Sequence, residues 1–326
     1  MKICNVQVKT PFGPVNRLGV LEKEGVVDLN KVWEHFYRTQ GRYNPSTRAN
    51  HVMPSSLHLF LQTSDFPLDD LQQTMELFQL YYKAGDALDS ILITDEYKFD
   101  CPLDKITTYR DFYAHEKHVA AGFKKRKEPI PPAWYEIPAY YKGATEGFIG
   151  DQDEILWPHY TDVLDYELEL GAIIAIEGRN IKAENACEHI LGFTILNDIS
   201  ARDIQKKEMA VRLGPAKGKD FCSVMGPVIT TIDEFDNKEP NLLMTAKVNG
   251  NEWSRGQSGD SHFTFSQMIE HVSMDEWVLP GDFMGSGTVG TGCGLELDKW
   301  IKEGDILELS IESIGTLTNK VGRKSS

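Results

Sequence analysis

The amino-acid sequence predicts a strand-rich α+β protein, in which a smaller N-terminal domain precedes a larger domain of mostly antiparallel strands. Helical periodicity is concentrated in the first hundred residues, where apolar side chains recur three and four positions apart. Strand-like runs dominate the rest of the chain, with short helical patterns between them. Because the two kinds of element do not alternate regularly, a sheet built from βαβ units is not expected.

The N-terminal part is predicted to begin with strands and to continue with helices. Its elements are strands at 3–8 and 17–21, the short run 26–29, and helices at 30–39, 55–62 and 68–82. The polar stretch 40–50 is predicted to be a loop. A boundary placed near 102–108 divides the chain into an N-terminal domain of residues 1–105 and a second domain of residues 106–326.

Strands dominate the prediction after that boundary. The main ones are 164–176, 192–197, 243–248 and 305–313, with short helices at 112–122, 183–190, 201–209 and 265–272. Asn249-Gly250 directly follows one of these strands. The pair favours a two-residue hairpin turn, because both central positions of such a turn adopt positive φ.

The composition excludes several classes of protein. Lys and Arg number 34 and Asp and Glu number 49, so the formal net charge is −15. This charge argues against binding to nucleic acids or anionic membranes, since both need a basic surface. No apolar run approaches the roughly 20 residues of a membrane helix, and the N-terminus lacks the apolar core of a signal peptide. Five widely spaced cysteines without C-x-x-C favour a reducing, cytoplasmic location.

An acidic strand is the first candidate site. Asp165, Glu167 and Glu169 alternate with apolar residues and therefore face one side of a strand. Neighbouring carboxylates on such a face, about 7 Å apart along the strand, can share a hard cation. The alternative is a half-buried strand with a solvent-exposed acidic face, which this segment taken alone favours.

Two further segments carry candidate residues. Asp198 follows an apolar strand, where a carboxylate can point into a cleft, and Arg202 and Gln205 share one face of the next helix. The alternative is that Asp198 is a turn residue and Arg202 a surface charge. His115 and His118 lie three apart on another predicted helix, a spacing that differs from the zinc motif H-E-x-x-H. His118 is either a general base or a surface residue.

Residues 285–290 match G-x-G-x-x-G, but a dinucleotide site needs a helix immediately after the glycines. Here Thr291-Gly292-Cys293-Gly294 and the strand-like run 295–297 follow. A glycine-rich β segment whose backbone approaches a ligand is predicted instead. The basic run 124–127 is either a solvated loop or a cationic rim that attracts an anionic substrate.

These segments occur together in an order that is typical of one family. They are residues 111–118, 164–169, 197–205, 214–221, 285–288, 295–297 and 304–319. On their basis the chain resembles the fumarylacetoacetate hydrolase family over roughly residues 105–322, whereas the first hundred residues carry no comparable signature. The resemblance implies a catalytic domain with a mixed β-sheet roll, a homodimer and a bound Mg²⁺, for which Ca²⁺ or Mn²⁺ can substitute.

The resemblance also implies the metal site and its chemistry. The implied metal ligands are Asp111, Glu167, Glu169 and Asp198. Four carboxylates suit a hard cation rather than zinc. Family members cleave a carbon–carbon bond beside a carbonyl group, and the leaving group departs as an enolate that Mg²⁺ stabilises as a Lewis acid. By resemblance, Lys219 and Gln205 lie beside the enolate oxygens of the substrate and assist catalysis.

His118 matches the general base of the family, and Glu296 matches the glutamate that orients it. In another branch that glutamate lies three residues after the histidine, where this chain has Ala121, so the His118–Glu296 pair is favoured. The implied substrate contacts are Tyr113, Arg126, Tyr141, Gln205 and Thr288. Met209 stands where fumarylacetoacetase has a substrate-contacting tyrosine, which argues against fumarylacetoacetate itself as the substrate.

The predicted function is therefore Mg²⁺-dependent hydrolysis of a small anionic 1,3-diketo acid of the fumarylacetoacetate or acylpyruvate type. The alternative is isomerisation or decarboxylation of a 2-oxo or 2-hydroxydienoate acid at the same metal site. A third hypothesis is a binding protein that kept the fold without catalysis. It is disfavoured because every implied ligand position is still acidic.

Overall fold

The computed structural model describes residues 1–86, 88–94 and 96–325. The helices are α1 (Leu29–Thr39), α2 (Pro45–Val52), α3 (Leu57–Thr63), α4 (Pro67–Ala84), α5 (Leu88–Ile91), α6 (Glu116–Arg126), α7 (Arg202–Ala210), α8 (Phe265–Ser273) and α9 (Gly294–Leu297). Short 3₁₀ turns lie at Pro132–Tyr135, Ala183–His189, Ile232–Phe235 and Ser258–Asp260.

The strands of the first half are β1 (Lys2–Thr10), β2 (Gly13–Glu22), β3 (Gly25–Asp28), β4 (Leu92–Ile93), β5 (Tyr97–Asp100), β6 (Tyr109–Phe112), β7 (Tyr140–Gly143), β8 (Phe148–Ile149), β9 (Glu154–Trp157) and β10 (Leu164–Asp165). Those that follow are β11 (Leu168–Ile174), β12 (Gly178–Arg179), β13 (Ile190–Asn197), β14 (Ser200–Ala201), β15 (Ser223–Thr231), β16 (Leu243–Val248), β17 (Asn251–Gln257), β18 (Trp277–Val278), β19 (Phe283–Gly285), β20 (Ile306–Ile311) and β21 (Gly315–Lys324). The predicted strand-rich α+β fold is confirmed.

Most predicted elements are present, and one of the exceptions has a local cause. The predicted loop 40–50 is wrong in its second half, where α2 begins at Pro45 after Asn44 in a left-handed conformation (φ 50°). Proline supplies the φ of a first helical residue in advance, which the apolar pattern does not reveal. The hairpin at Asn249-Gly250 is confirmed, with φ of 51° and 75° at the two positions and Val248 paired with Asn251.

Two sheets form the frame of the molecule. The large one runs in the order β4-β3-β2-β1-β15-β13-β11-β19-β6-β7, with β5 beside β1 and β8 beside β15. The smaller one has the order β17-β16-β20-β21-β9. Most neighbours are antiparallel, but β19–β6, β15–β8 and β21–β9 are parallel, so both sheets are mixed. Because β1 pairs with β15, sheet hydrogen bonding continues across the predicted boundary at residue 105. The division into two domains at this boundary stays a prediction.

The central strands of the large sheet are covered on both faces. Ile195 of β13 belongs to one apolar core together with Leu309 of the smaller sheet, whereas its neighbour Leu196 belongs to a second core together with Phe60 and Leu71 of the N-terminal helices. Adjacent strand residues point to opposite faces, which explains this division. No helix in the described residues is both long and apolar enough to cross a bilayer.

Candidate active site

Four carboxylates converge at one end of the central strands. Asp111 lies on β6 and Glu169 on β11, to either side of β19, while Glu167 precedes β11 and Asp198 directly follows β13. An oxygen atom of each lies within 4.8 Å of an oxygen of every other, and all four side chains are buried. The structure thus brings together the four residues predicted to bind a metal, which we call the carboxylate cluster.

Burial decides between the alternatives left open by the sequence. The acidic strand has no solvent-exposed face, since Asp165, Glu167 and Glu169 are at most 5% exposed. Arg202 and His118, which the alternatives placed on the surface, are 8% and 7% exposed. The surface interpretations of these residues are therefore wrong.

Two glycines, one at the end of β19 and one just after it, make room for the cluster. A Cβ atom at Gly285 would lie 2.5 Å from Asp111 Oδ1 and 2.9 Å from Glu169 Oε2. Gly287, with a φ of 80°, donates its N–H to Glu169 Oε2 at 2.9 Å. The G-x-G-x-x-G match therefore allows close approach of the backbone to carboxylates, and no helix directly follows it to bind a nucleotide.

The carboxylates influence one another strongly. Burial and the negative charge of Glu169 raise the pKa of Asp111 well above its usual range, and burial with neighbouring carboxylates does the same to the pKa of Glu169. Burial alone would also raise the pKa of Glu167. The positive charges of Arg202 and Lys219 outweigh this effect, so the pKa of Glu167 is lowered. The cluster therefore contains more buried negative charge than the protein neutralises on its own.

A divalent cation fits this arrangement. Asp111 Oδ1 is buried without a hydrogen-bond partner among the described residues, and a buried acceptor of this kind is costly unless something binds it. The donor set consists of carboxylate oxygens, which hard cations such as Mg²⁺, Mn²⁺ and Ca²⁺ prefer. A bound cation would also remove the repulsion that raises the pKa values of Asp111 and Glu169.

We expect cation binding to release protons, so the affinity for Mg²⁺ or Mn²⁺ should increase with pH. Asp111 and Glu169 hold protons more strongly than ordinary carboxyl groups, and a bound cation displaces them. Titration calorimetry in buffers with different ionisation enthalpies measures the protons released per cation. Asp111→Asn should release fewer, whereas Asp260→Asn, which removes a surface partner of Lys117, should match the native chain. An affinity that is constant with pH would contradict this expectation.

The same shifts set a pH dependence of stability. With raised pKa values, the folded metal-free cluster binds more protons than the unfolded chain, so the free energy of unfolding decreases as pH rises through those values. Saturation with Mg²⁺ should reduce this decrease. Thermal unfolding with and without a chelator across the neutral range measures it.

Lys219 and Tyr141 lie against the cluster. The Lys219 ammonium group donates to Glu167 Oε2 and to Asp198 Oδ2. Although burial lowers the pKa of Lys219, the charges of Asp198 and Glu167 prevail and raise it, so this side chain stays cationic. The Tyr141 hydroxyl donates to Asp198 Oδ2 at 2.8 Å. Thr288 also reaches the cluster, because its hydroxyl lies 3.3 Å from Glu169 Oε1.

Arg202 connects the cluster to its surroundings. Its guanidinium group donates to Glu167 Oε1 at 2.7 Å, to Asp165 Oδ2 at 2.8 Å and to Gln205 Oε1 at 2.9 Å. Gln205 is therefore held at the edge of the site through its amide oxygen, which leaves its NH₂ group as a donor. Asp165 also accepts the backbone N–H groups of Gly294 and Leu295, at the start of α9.

The predicted catalytic pair is assembled in the structure. His118 Nδ1 lies 2.7 Å from Glu296 Oε1, and the Thr291 N–H donates to Glu296 Oε2 at 3.0 Å. The Tyr113 ring packs edge-on against the His118 ring, with centroids 5.4 Å apart. The run 295–297, predicted to be strand-like, is wrong in type, because Glu296 lies on α9. Hydrogen bonds to Asp165 hold that helix, and the local sequence pattern does not reveal them.

Arg126 occupies a different position from the other predicted contacts. It lies at the end of α6 with a side chain 49% exposed, stacks on the Phe123 ring at 4.1 Å and lies 3.7 Å from Glu128. Its guanidinium group and the Tyr113 hydroxyl flank the same glycine, Gly122. Arg126 is thus at the rim and not in the carboxylate cluster. Its predicted role, like those of the other site residues, stays a prediction.

The sequence pattern does not reveal three features of the site. The pattern places Asp165 with Glu167 and Glu169 on one strand face, but Asp165 bonds to Arg202 and α9 and is not part of the cluster. Cys293 lies against the catalytic pair. His115 lies before α6 and is buried, and neither of its ring nitrogens has a hydrogen-bond partner among the described residues. Burial and, to a lesser extent, the charge of His118 lower the pKa of His115 to about 4.

Comparison with known proteins identifies the family. Residues 107–322 match the sequence profile of the fumarylacetoacetate (FAA) hydrolase C-terminal domain. The chain belongs to the fumarylacetoacetate hydrolase family. This agrees with the resemblance inferred from the motifs, and it makes the protein a member of a family of enzymes that act on small molecules.

Individual family members resemble this chain over most of its length. Oxaloacetate tautomerase YisK of Bacillus subtilis is 36% identical over 313 residues, which cover 93% of this chain and 95% of that protein. The fumarylacetoacetate hydrolase structure from Exiguobacterium antarcticum superposes with a TM-score of 0.70 at 23% identity, covering 98% and 99% of the two chains. Fumarylpyruvate hydrolase from Pseudomonas aeruginosa gives a TM-score of 0.57 at 20% identity, over 67% of this chain and 90% of that one. The two structural matches establish the fold.

Proposed function

We propose that this protein is a divalent-metal-dependent enzyme that interconverts the keto and enol forms of a small 2-oxo dicarboxylic acid of the oxaloacetate type. The observation that carries the proposal is the buried carboxylate cluster beside the His118–Glu296 pair. Similarity to an oxaloacetate tautomerase along 93% of the chain supports this reaction over others at the same site. It corresponds to the isomerase alternative of the sequence analysis.

Tautomerisation requires that charge on the enolate oxygen be stabilised. When bound at the carboxylate cluster, Mg²⁺ would supply this stabilisation as a Lewis acid, and Mn²⁺ or Ca²⁺ could replace it. Manganese is present in the fumarylpyruvate hydrolase structure, which was determined in complex with Mn²⁺ and pyruvate. Lys219 adds a second positive charge next to Glu167 and Asp198.

His118 moves the proton. With Nδ1–H donated to Glu296, the Nε2 lone pair accepts a proton from the substrate carbon next to the carbonyl. The C–H electron pair becomes the new carbon–carbon double bond, and the carbonyl π pair moves to oxygen. The imidazolium then returns its proton to that oxygen, which completes the enol. Glu296 stabilises the imidazolium throughout, as a carboxylate does in a catalytic triad.

Hydrolysis of a 1,3-diketo acid is the second candidate. It is favoured by one observation: the carboxylate that orients His118 comes from the separate helix α9, while position 121 on α6 is alanine. By resemblance this is the arrangement of the branch typified by fumarylacetoacetase, whereas acylpyruvate hydrolases and oxaloacetate decarboxylases form the branch with the glutamate on the histidine's own helix. Decarboxylation of a 2-oxo acid would use the same cluster and enolate.

One assay distinguishes these reactions. Purified protein with Mg²⁺ is mixed, in separate reactions, with the enol form of oxaloacetate and with an acylpyruvate. The decay of enol absorbance is followed while the products are identified by NMR. A tautomerase accelerates equilibration without consuming oxaloacetate, whereas a decarboxylase produces pyruvate and CO₂. A hydrolase instead splits an acylpyruvate into pyruvate and a carboxylic acid. No reaction with any of these compounds, with metal bound, would support the binding-protein hypothesis.

Three sequence-based expectations accompany the proposal. We infer Mg²⁺ as the physiological cation, a homodimer as the assembly and the cytoplasm as the location. The oxygen-only cluster supports the first, and the wide cysteine spacing without C-x-x-C supports the third. Sedimentation analysis of the purified chain tests the second.

A further inference from the structure

His118, Cys293 and Glu296 form a second group of potential metal ligands among the described residues. Cys293 Sγ lies 3.6 Å from Glu296 Oε1 and 3.9 Å from His118 Nδ1, and the latter two atoms are 2.7 Å apart. Cys293 is fully buried, and the two other side chains are less than a tenth exposed. One nitrogen, one sulfur and one oxygen atom therefore lie within 3.9 Å of one another.

This set differs in chemistry from the carboxylate cluster. Imidazole, thiolate and a single carboxylate are ligands of Zn²⁺ and related borderline-soft cations, whereas Mg²⁺ and Ca²⁺ prefer oxygen alone. Zinc bonds of about 2.0–2.3 Å place tetrahedral ligand atoms roughly 3.3–3.6 Å apart. The two distances to sulfur are close to this range. The distance between His118 and Glu296 must increase by about half an ångström, and the distance between Cys293 and His118 must shorten by about 0.3 Å.

We propose that His118 Nδ1, Cys293 Sγ and Glu296 Oε1 bind a zinc-class cation at a site distinct from the carboxylate cluster, and that its binding inactivates the catalytic pair. The thiol loses its proton to solvent on binding, so thiolate and carboxylate together neutralise the charge of the cation. No oxidant is involved. Three protein ligands leave the fourth tetrahedral position to water.

Inactivation follows from the tautomer of His118, and this part rests on the proposed function. In the free pair, Nδ1 carries the proton donated to Glu296 and Nε2 is the base. When Nδ1 binds a cation, the ring proton must reside on Nε2, which then has no lone pair to accept a proton. Glu296 is also engaged as a ligand, so it no longer stabilises an imidazolium.

Cobalt provides a direct test, since Co²⁺ replaces Zn²⁺ in such sites and a thiolate bound to Co²⁺ absorbs in the near ultraviolet. Co²⁺ is titrated into the full chain in the presence of excess Mg²⁺, which keeps the carboxylate cluster occupied. We expect thiolate absorption that saturates at one equivalent and is removed by Zn²⁺. The absorption should be lost in Cys293→Ser and Cys293→Ala and retained in Cys187→Ser, which removes a half-buried thiol elsewhere.

Inhibition is measured in parallel, with each variant compared with its own zinc-free rate. The zinc concentration for half-inhibition should rise at least about tenfold in Cys293→Ser and stay unchanged in Cys187→Ser. Thiolate absorption that persists without Cys293 would overturn the proposal, and so would equal zinc sensitivity in the two variants. The proposal would also be wrong if, in protein loaded with Mn²⁺, the sole effect of zinc were to release Mn²⁺ from the carboxylate cluster. The absorption requires no substrate, so the site is tested even if the proposed reaction is wrong.

Discussion

Replacing Glu296 by glutamine or His118 by alanine should lower turnover by about 10²–10⁴-fold, the usual contribution of a positioned general base. Binding of Mg²⁺ or Mn²⁺ should persist in both variants, because neither residue belongs to the carboxylate cluster. The expected result is therefore a protein that still binds its cation but no longer moves the proton. Stopped-flow kinetics of the enol and titration with Mn²⁺ measure the two properties separately.

The glutamine variant is informative because it changes charge without changing size. Glu296 accepts from two donors at once, His118 Nδ1–H and the Thr291 N–H. An amide has one acceptor oxygen, so it cannot serve both. If the oxygen faces Thr291, the NH₂ group faces His118 and forces the ring proton onto Nε2. If the oxygen faces His118, the Thr291 N–H loses its partner and the imidazolium has no counter-charge.

A matched control lies on α6 itself. Glu116 is exposed at the start of this helix and accepts a hydrogen bond from Tyr135, so Glu116→Gln makes the same chemical change away from His118. Its turnover should equal that of the native chain. Native turnover in both Glu296→Gln and His118→Ala would show that the pair is not the base, even if the metal site is correct.

The sequence predicted which residues form the site better than it predicted how strand pairing brings them together. The alternation of Glu167 and Glu169 with apolar residues is a local pattern, and it correctly indicated neighbouring carboxylates. Asp111 joins them only because β19 pairs with both β11 and β6, more than a hundred residues along the chain. Such pairing has no local signature, so the family resemblance and not periodicity brought Asp111 into the prediction.

Two of the wrong predictions share one cause, which is that tertiary contacts determine short elements. The run 295–297 alternates like a strand, but Asp165 accepts the first N–H groups of α9 and holds it as a helix. A Cβ atom at Gly294 would lie 2.6 Å from Asp165 Oδ1, so glycine is needed for this contact. The predicted strand 164–176 likewise divides into β10 and β11, and Glu167 lies between them.

Replacing Arg202 by methionine should decrease the free energy of unfolding by about 3–5 kcal/mol, the usual cost of removing one partner from a buried ion pair. Arg202 is 8% exposed and neutralises two carboxylates that are themselves buried, Asp165 and Glu167. Methionine fills similar space but supplies no charge and no donor. Urea unfolding in the presence of a chelator measures the loss without a contribution from bound metal.

The pH dependence separates lost charge from lost packing. Arg202 is the largest favourable influence on the pKa of Glu167, which lies below its usual range despite burial. A carboxylate with a lowered pKa stabilises the fold above the usual carboxyl range, and this stabilisation is lost as pH falls through the lowered value. In Arg202→Met the unpaired carboxyls bind protons more readily, so the deficit in stability should shrink as the pH is lowered. A packing defect would give a deficit that does not change with pH.

The control variant is Arg255→Met, which removes an exposed arginine that pairs with Glu252, three residues earlier on β17. This change should alter stability little at any pH. An equal loss in the two variants would mean that burial is not what makes Arg202 important, and that Glu167 and α9 are held in place by other contacts.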